Sequence, residues 1–153
     1  MQKISPFLWF DTQAEEAAKF YTTVFKNSKI GDISRYDEAA SIASGKPEGS
    51  AMTVSFQLDG MDFTALNGGP EFKFSEAVSF SVVCKDQNEI DYYWDRLTEN
   101  GGEESQCGWL KDKYGLSWQI VPENLGSLIS SPKAMAAMLK MKKFNIAELL
   151  QAD

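Results

Sequence analysis

A chain of 153 residues with 43% hydrophobic residues is long enough for one globular domain, or for two half-size modules that share a core. Its 15 basic and 22 acidic residues give a net charge of -7, which argues against nucleic acid or a membrane as a partner. The N-terminus carries no signal-peptide pattern, and no apolar run is long enough to span a membrane, so we expect a cytoplasmic protein. Cys84 and Cys107 lack CxxC spacing, which predicts free thiols.

The chain opens with a predicted strand, Ile4 to Phe10, followed directly by a helix. Apolar residues recur at helical spacing from Ala14 to Phe25. Thr12 and Glu15 have the spacing of a capping box, so we expect the helix to begin there.

Three more strands follow in the first half of the chain. Residues 29–36 predict a second strand, and residues 37–50 lack a strong period, which predicts a loop or flap. Alternation of apolar and polar residues over residues 51–58 predicts a half-buried strand. Asp59 and Gly60 form a favoured hairpin turn, so the next strand runs back antiparallel.

The same order of elements then begins again. Val78 to Cys84 predict a strand, Asp86 and Glu89 a capping box, and a helix runs to Asn100. One constant shift places Phe7 on Phe80, and another places Phe63 on Trp118. The pattern indicates a duplicated supersecondary unit.

The sequence therefore predicts an α+β fold of two β-α-β-β-β modules in a single domain, 1–153. Module one covers about residues 3–67, module two about 77–122, and a C-terminal helical tail about 125–153. One helix covers only one face of a curved four-stranded sheet, so two modules must pair, either within the chain or across a dimer. We expect the paired sheets to form a cleft, and a homodimer to protect their edges.

The tail has its own helix signals. Ser131 followed by Pro132 predicts a helix start, and Asn145 with Glu148 predicts the cap of a final helix.

Four segments, the last of them in this tail, indicate a family: PFLWFDTQAEEAAKFYTTVF, TALNGGPEFKF, QCGWLKDKYGLSWQIVP and MLKMKK. They resemble, in order, the PhnB-like group of the glyoxalase/bleomycin-resistance/dioxygenase (vicinal oxygen chelate) superfamily.

Members of this group are often labelled 3-demethylubiquinone methyltransferases. A methyltransferase of the usual kind needs a Gly-rich turn between a strand and a helix of a parallel α/β sheet, where it holds a nucleoside cofactor. Gly101 and Gly102 end a predicted helix, and Gly68 and Gly69 follow a hairpin strand. We therefore expect no methyl transfer.

The resemblance also implies where a metal would be held in metal-dependent relatives, on the first and fourth strands of each module. Here those positions fall close to Pro6, Thr64, Ser79 and Gln119. A one-residue error in alignment would substitute Ser5, Ala65, Val78 or Phe80. Neither set offers an imidazole or a carboxylate, and the chain contains no histidine. We expect no metal and no other cofactor, and we predict an organic-ligand site at Thr64, Ser79 and Gln119.

Candidates for covalent catalysis are few, because without histidine no Cys-His or Ser-His-Asp arrangement can be built. Cys107, on the predicted seventh strand, is the remaining candidate nucleophile, and the catalytic residues are otherwise unknown.

Three functions are consistent with these features. The first is a metal-free protein that binds a small, partly apolar molecule, as bleomycin-resistance relatives do. The second is an enzyme of the superfamily, a lyase, isomerase or transferase, that uses side-chain acids or a metal carried by the substrate. The third is a scaffold that binds no ligand and acts through its dimer surface.

Overall fold

The fold is described from a computed structural model, which describes residues 2–152. The chain forms two compact units, the first ending at Lys73 and the second beginning at Phe74. No helix within the described range is long and apolar enough to cross a bilayer.

The first unit contains four strands and two helices: β1 (Phe7–Phe10), α1 (Ala14–Val24), β2 (Lys29–Arg35), α2 (Glu38–Ser44), β3 (Ala51–Leu58) and β4 (Met61–Asn67). The strands form one mixed sheet in the order β1-β4-β3-β2. β1 and β4 are parallel, and the other neighbours are antiparallel.

The second unit repeats this arrangement and adds the tail: β5 (Ser79–Cys84), α3 (Gln87–Thr98), a 3-10 turn (Glu99–Gly101), β6 (Glu103–Glu104), β7 (Trp109–Lys111), β8 (Ser117–Pro122), α4 (Leu125–Leu128), α5 (Pro132–Met138) and α6 (Ile146–Gln151). The sheet order is β5-β8-β7-β6, with β5 and β8 parallel. The prediction of two β-α-β-β-β modules followed by C-terminal helices is confirmed.

One face of each sheet packs against its helix. In the first unit, the ring of Tyr21 on α1 stacks on Phe56 with 6.3 Å between centroids, and Phe56 stacks on Phe63 at 5.3 Å. In the second unit, Trp94 of α3 and Trp118 of β8 are both buried. Because side chains alternate along a strand, every second residue lies on the other side of each sheet, which we call its open face.

The start of α1 differs from the sequence prediction. Gln13, not Thr12, is the N-cap, and its side chain makes no capping hydrogen bond. The backbone N–H of Ala14 instead donates to Oδ1 of Asn67, at 2.8 Å. Asn67 is buried at the end of β4, so a residue distant in sequence satisfies a backbone donor at the start of the helix.

The segment predicted as a loop or flap contains the short helix α2. The Asp37 carboxylate caps it by accepting from the backbone N–H of Ala40 at 2.8 Å, and Gly45 ends it in the left-handed conformation.

The two predicted helix starts in the tail are confirmed. The Ser131 side chain accepts from Ala134 N–H, and the Asn145 side chain accepts from Glu148 N–H.

The predicted superposition of Phe7 on Phe80 is wrong by one residue. Phe7 pairs with Thr64 and is 61% exposed on the open face, whereas Phe80 pairs with Trp118 and packs on its ring at 5.6 Å. The structural equivalent of Phe7 is Ser81, which pairs with Gln119. The link from β5 to α3 is one residue shorter than the link from β1 to α1, which changes the register between the repeats.

Candidate functional site

The open face of the first sheet holds a cavity of about 420 Å³. Most of its lining residues carry a hydroxyl, an amide or a charge: Ser5, Lys29, Asp32, Ser55, Gln57, Asp62 and Thr64. Gly31, Phe56 and Phe63 also line it. This volume lies in the range of pockets that hold small molecules.

Strand register explains why these polar residues meet. Ser55 of β3 stands opposite Thr64 of β4. In the next row Gln57 lies between Lys29 of β2 and Asp62 of β4. The Gln57 amide donates from Nε2 to Oδ1 of Asp62 at 2.6 Å, which holds both side chains in place.

A β-bulge in β2 shapes one wall of the cavity. Ile30 pairs with Phe56 and Ile33 pairs with Val54, so the two residues Gly31 and Asp32 together oppose the single residue Ser55. A bulge of this kind changes the direction in which side chains point, and here it places Asp32 at the cavity. A Cβ at Gly31 would lie 3.2 Å from the carbonyl oxygen of Ser55, so glycine keeps this wall clear.

In the second unit, the structure brings together two of the predicted ligand-binding residues. The Gln119 amide donates from Nε2 to Oγ of Ser79 at 3.0 Å on the open face of the second sheet. Thr64, the third predicted residue, lies in the first unit, where it lines the cavity with Ser5. Ser5 stands two residues before the partner of Thr64, as Ser79 stands two residues before the partner of Gln119.

This correspondence identifies Ser5, which lies two residues before β1, and not Pro6, as the equivalent of Ser79 on the open face. Alternation along a strand predicts that, if Thr64 and Gln119 face the cavity, their neighbours Phe63 and Trp118 lie in the core. This prediction is confirmed, because Phe63 and Trp118 are only 5% and 3% exposed. The sequence reasoning missed Lys29, Asp32 and Asp62, since their cavity positions depend on strand pairing.

The second unit also contains an ion pair that the sequence did not predict. Lys111 on β7 pairs with Glu76, which precedes β5 in the chain. The Lys111 hydrogen bond lowers the pKa of the Glu76 carboxyl, and the same contact raises the pKa of the Lys111 ammonium. Both groups stay charged near neutral pH.

Cys107 lies before β7, not on it, which corrects the predicted position. Its backbone has a positive φ of 56°, its N–H donates to the carbonyl of Met141 at 2.8 Å, and its thiol lies 3.7 Å from the carbonyl oxygen of Met138. Cys107 therefore anchors the tail to the second unit. Cys84 is fully buried, and burial raises the pKa of its thiol to about 12.

The donors near the metal-ligand positions implied by the family resemblance do not suit a transition metal. Ser5, Thr64, Ser79 and Gln119 offer hydroxyl and amide oxygens, which bind zinc, nickel or iron far more weakly than imidazole or thiolate does. Across residues 2–152, no three His, Cys, Asp or Glu side chains are grouped so that they could hold a metal ion.

Comparisons with known proteins agree with this architecture. A PhnB protein from Bacillus cereus is 37% identical, with a TM-score of 0.69, and the match covers 79% of this chain and 99% of that one. Protein PA1353 from Pseudomonas aeruginosa is 17% identical, with a TM-score of 0.64 and coverage of 80% and 98%. The fosfomycin resistance protein FosX from Listeria monocytogenes, complexed with Mn(II) and sulfate, is 13% identical, with a TM-score of 0.55 and coverage of 85% and 97%.

No curated protein sequence matches the chain significantly. The family model described as 3-demethylubiquinone-9 3-methyltransferase matches residues 2–121 and so covers both modules. The helices α4 to α6 lie beyond the matched region. The chain belongs to this family, which the match to the PhnB protein also supports.

Proposed function

We propose that the protein binds a small organic molecule without the help of a catalytic metal. The observation that carries the proposal is the cavity of about 420 Å³ in the first unit, with Thr64 in its wall. The family resemblance implies that Thr64 lies close to a ligand position of metal-dependent relatives. A hydroxyl group there can donate and accept hydrogen bonds with an organic ligand. In the second unit, Ser79 and Gln119 offer similar neutral contacts.

The proposal departs from the activity named in the family's description. Gly68, Gly69 and Gly101 are candidates for a Gly-rich cofactor-binding turn, but each has a structural role. A Cβ at Gly68 would lie 2.3 Å from the ring of Trp9, and the indole N–H of Trp9 donates to the carbonyl of Gly69 at 2.9 Å. Gly101 follows the end of α3 with a positive φ of 110°. These contacts account for the glycines without a nucleoside cofactor.

Elemental analysis of the purified protein tests the metal-free part of the proposal. We expect less than a stoichiometric amount of zinc, nickel or iron, because hydroxyl and amide donors release such ions during purification. One equivalent of a transition metal per chain, lost in Gln119→Ala, would contradict the proposal and would favour a metal-dependent enzyme.

A thermal-shift screen with small metabolites tests the binding part. A ligand that binds the folded state raises the midpoint of unfolding, and native mass spectrometry then gives the stoichiometry. Thr64→Val keeps the β-branched shape and removes the hydroxyl, so it should weaken a ligand found in the screen by about tenfold. Thr23→Val, on the exposed side of α1, is the matched control and should bind normally. Equal binding by both variants would exclude Thr64 from the site.

A further inference from the structure

We propose that the cavity on the first sheet recognises a small zwitterion, through the Lys29 ammonium and the Asp32 carboxylate, which both come from β2. This inference rests on the proposed function and adds the chemical class of the ligand. It concerns the first unit alone.

The first step is that the cavity contains two charged groups of opposite sign that do not neutralise each other. The side chains of Lys29 and Asp32 both line it, and neither makes an ion pair or side-chain hydrogen bond within residues 2–152. Both therefore have their bonding capacity free for a ligand. A ligand that carries both charges can pair with both groups, whereas a ligand with one charge can pair with only one of them.

The second step is that the backbone departs from regular pairing to place Asp32 there. A regular β2 strand would set one residue opposite Ser55, but the bulge sets Gly31 and Asp32 there instead. Gly31 does not need glycine for its φ, since its backbone is not left-handed. Its lack of a side chain leaves the space in front of Ser55 open. The same bulge therefore places the Asp32 carboxylate at the cavity and keeps room beside it for a ligand.

The third step concerns the other polar groups that line the cavity. Ser5, Ser55 and Thr64 present hydroxyls to the cavity, and no hydrogen bond from these side chains to other residues in the described range competes for them. Asp62 already accepts from Gln57, so its carboxylate is partly satisfied, whereas that of Asp32 is not. Hydrophilic walls with charges of both signs favour a polar ligand of amino-acid size over an apolar one.

The test is a titration of the full-length protein monitored by backbone amide chemical shifts. The probes are glycine, β-alanine and the longer ω-amino acids up to aminohexanoate, because the series varies the separation of the two charges. Alkylamines and alkanoates of equal chain length are the single-charge controls. We expect at least one zwitterion to shift the amides of Gly31, Asp32 and Ser55, with a Kd about fivefold below that of either single-charge control.

Two variants assign the two charges. In Lys29→Gln the best zwitterion should bind no better than the matched amine, and in Asp32→Asn no better than the matched carboxylate. Each change should raise the zwitterion's Kd about fivefold. Lys26→Gln, just after α1, and Asp95→Asn, on α3, are the controls. Both change an exposed charge that does not line the cavity, so they should leave the Kd unchanged. Gly31→Ala should weaken binding with both charges still present.

Three results would overturn the inference: no shift of the cavity amides with any zwitterion, equal binding of a single-charge probe, or unchanged binding in both charge variants. If the metabolite screen still finds a ligand of another charge class, the proposed function stands and only the ligand class is wrong. If neither the screen nor the titration shows binding, both proposals fail.

Discussion

The Gln119 amide donates to the Ser79 hydroxyl at 3.0 Å, joining the two neighbouring parallel strands β5 and β8 on the open face of the second sheet. The family resemblance in the sequence implied that both residues lie close to metal-ligand positions of metal-dependent relatives. The hydrogen bond is a direct side-chain contact between the two strands. It also fixes the Gln119 side chain in one orientation.

Ser79→Ala should lower the free energy of unfolding by about 1 kcal/mol, because the half-buried Gln119 amide loses its acceptor. Ser81→Ala is the matched control on the same strand and face, where the hydroxyl is exposed, and should change stability by less than about 0.5 kcal/mol. Urea denaturation of both variants measures the difference. Equal stability of the two would show that the hydrogen bond contributes nothing.

Gly108→Ala should destabilise the protein more than Gly115→Ala. Both glycines have a positive φ, of 83° and 86°, so both variants incur about 1 kcal/mol of backbone strain. At Gly108 the added Cβ would also lie 2.5 Å from the ring of Phe144, while at Gly115 no atom lies within 4 Å. We expect a further loss of about 2 kcal/mol in Gly108→Ala, measured by urea denaturation. Similar losses in both variants would contradict close packing of the tail at Gly108.

Thiol labelling at mildly alkaline pH should modify Cys107 well before Cys84. The reactive species is the thiolate, and burial raises the pKa of the Cys84 thiol to about 12, so its thiolate is scarce and inaccessible in the folded protein. Mass spectrometry of peptides after brief labelling should locate the reagent on Cys107. Denaturant should then expose Cys84. Rapid labelling of Cys84 in the native protein would contradict its burial.

The attachment of the tail to α3 should weaken in acid. The Lys143 ammonium, 2.8 Å from Asp91, and the Gln87 amide lower the pKa of the Asp91 carboxyl below its ordinary value of 3.8. A carboxyl whose pKa is lowered by folding contributes stability above the unfolded pKa, and this contribution is lost as the pH falls through the folded value. Asp91→Asn should therefore lose less stability than the parent protein on acidification below about pH 4.

The control for this acid effect is Asp95→Asn, which removes an exposed carboxyl from the same helix. It should retain the acid sensitivity of the parent protein. Urea midpoints at neutral and acidic pH give the comparison. Identical pH profiles for the two variants would exclude the Asp91 contact as a source of acid sensitivity.

We also predict a homodimer. Phe7 on the open face of the first sheet and Val83 on that of the second are each 61% exposed within the single chain, and β1 and β5 are edge strands. Exposed apolar residues next to unpaired strand edges favour association with a second copy. Light scattering at micromolar concentration should give twice the mass of one chain. A mass of 17.1 kDa would refute the prediction.

The sequence by itself determined the two modules and the faces of their strands. Alternation has a period of two residues and depends only on local strand geometry, so it placed Phe63 and Trp118 in the core and Thr64 and Gln119 on the opposite faces. Helix caps formed by adjacent residues, such as Asp86 with Glu89 N–H, were also predictable, because they require no distant partner.

The tertiary structure decided what depends on partners far apart in the chain. The side chain of Asn67, at the end of β4, accepts a hydrogen bond from the first residue of α1, where the sequence predicted a capping box of nearby residues. The bulge at Gly31 and Asp32 appears only once β2 is paired with β3, and the assignment of Ser5 over Pro6 follows from the pairing of β1 with β4. A shift of one residue in a strand reverses which side chains face the cavity, and only the pairing of strands and the packing of the core fix that register.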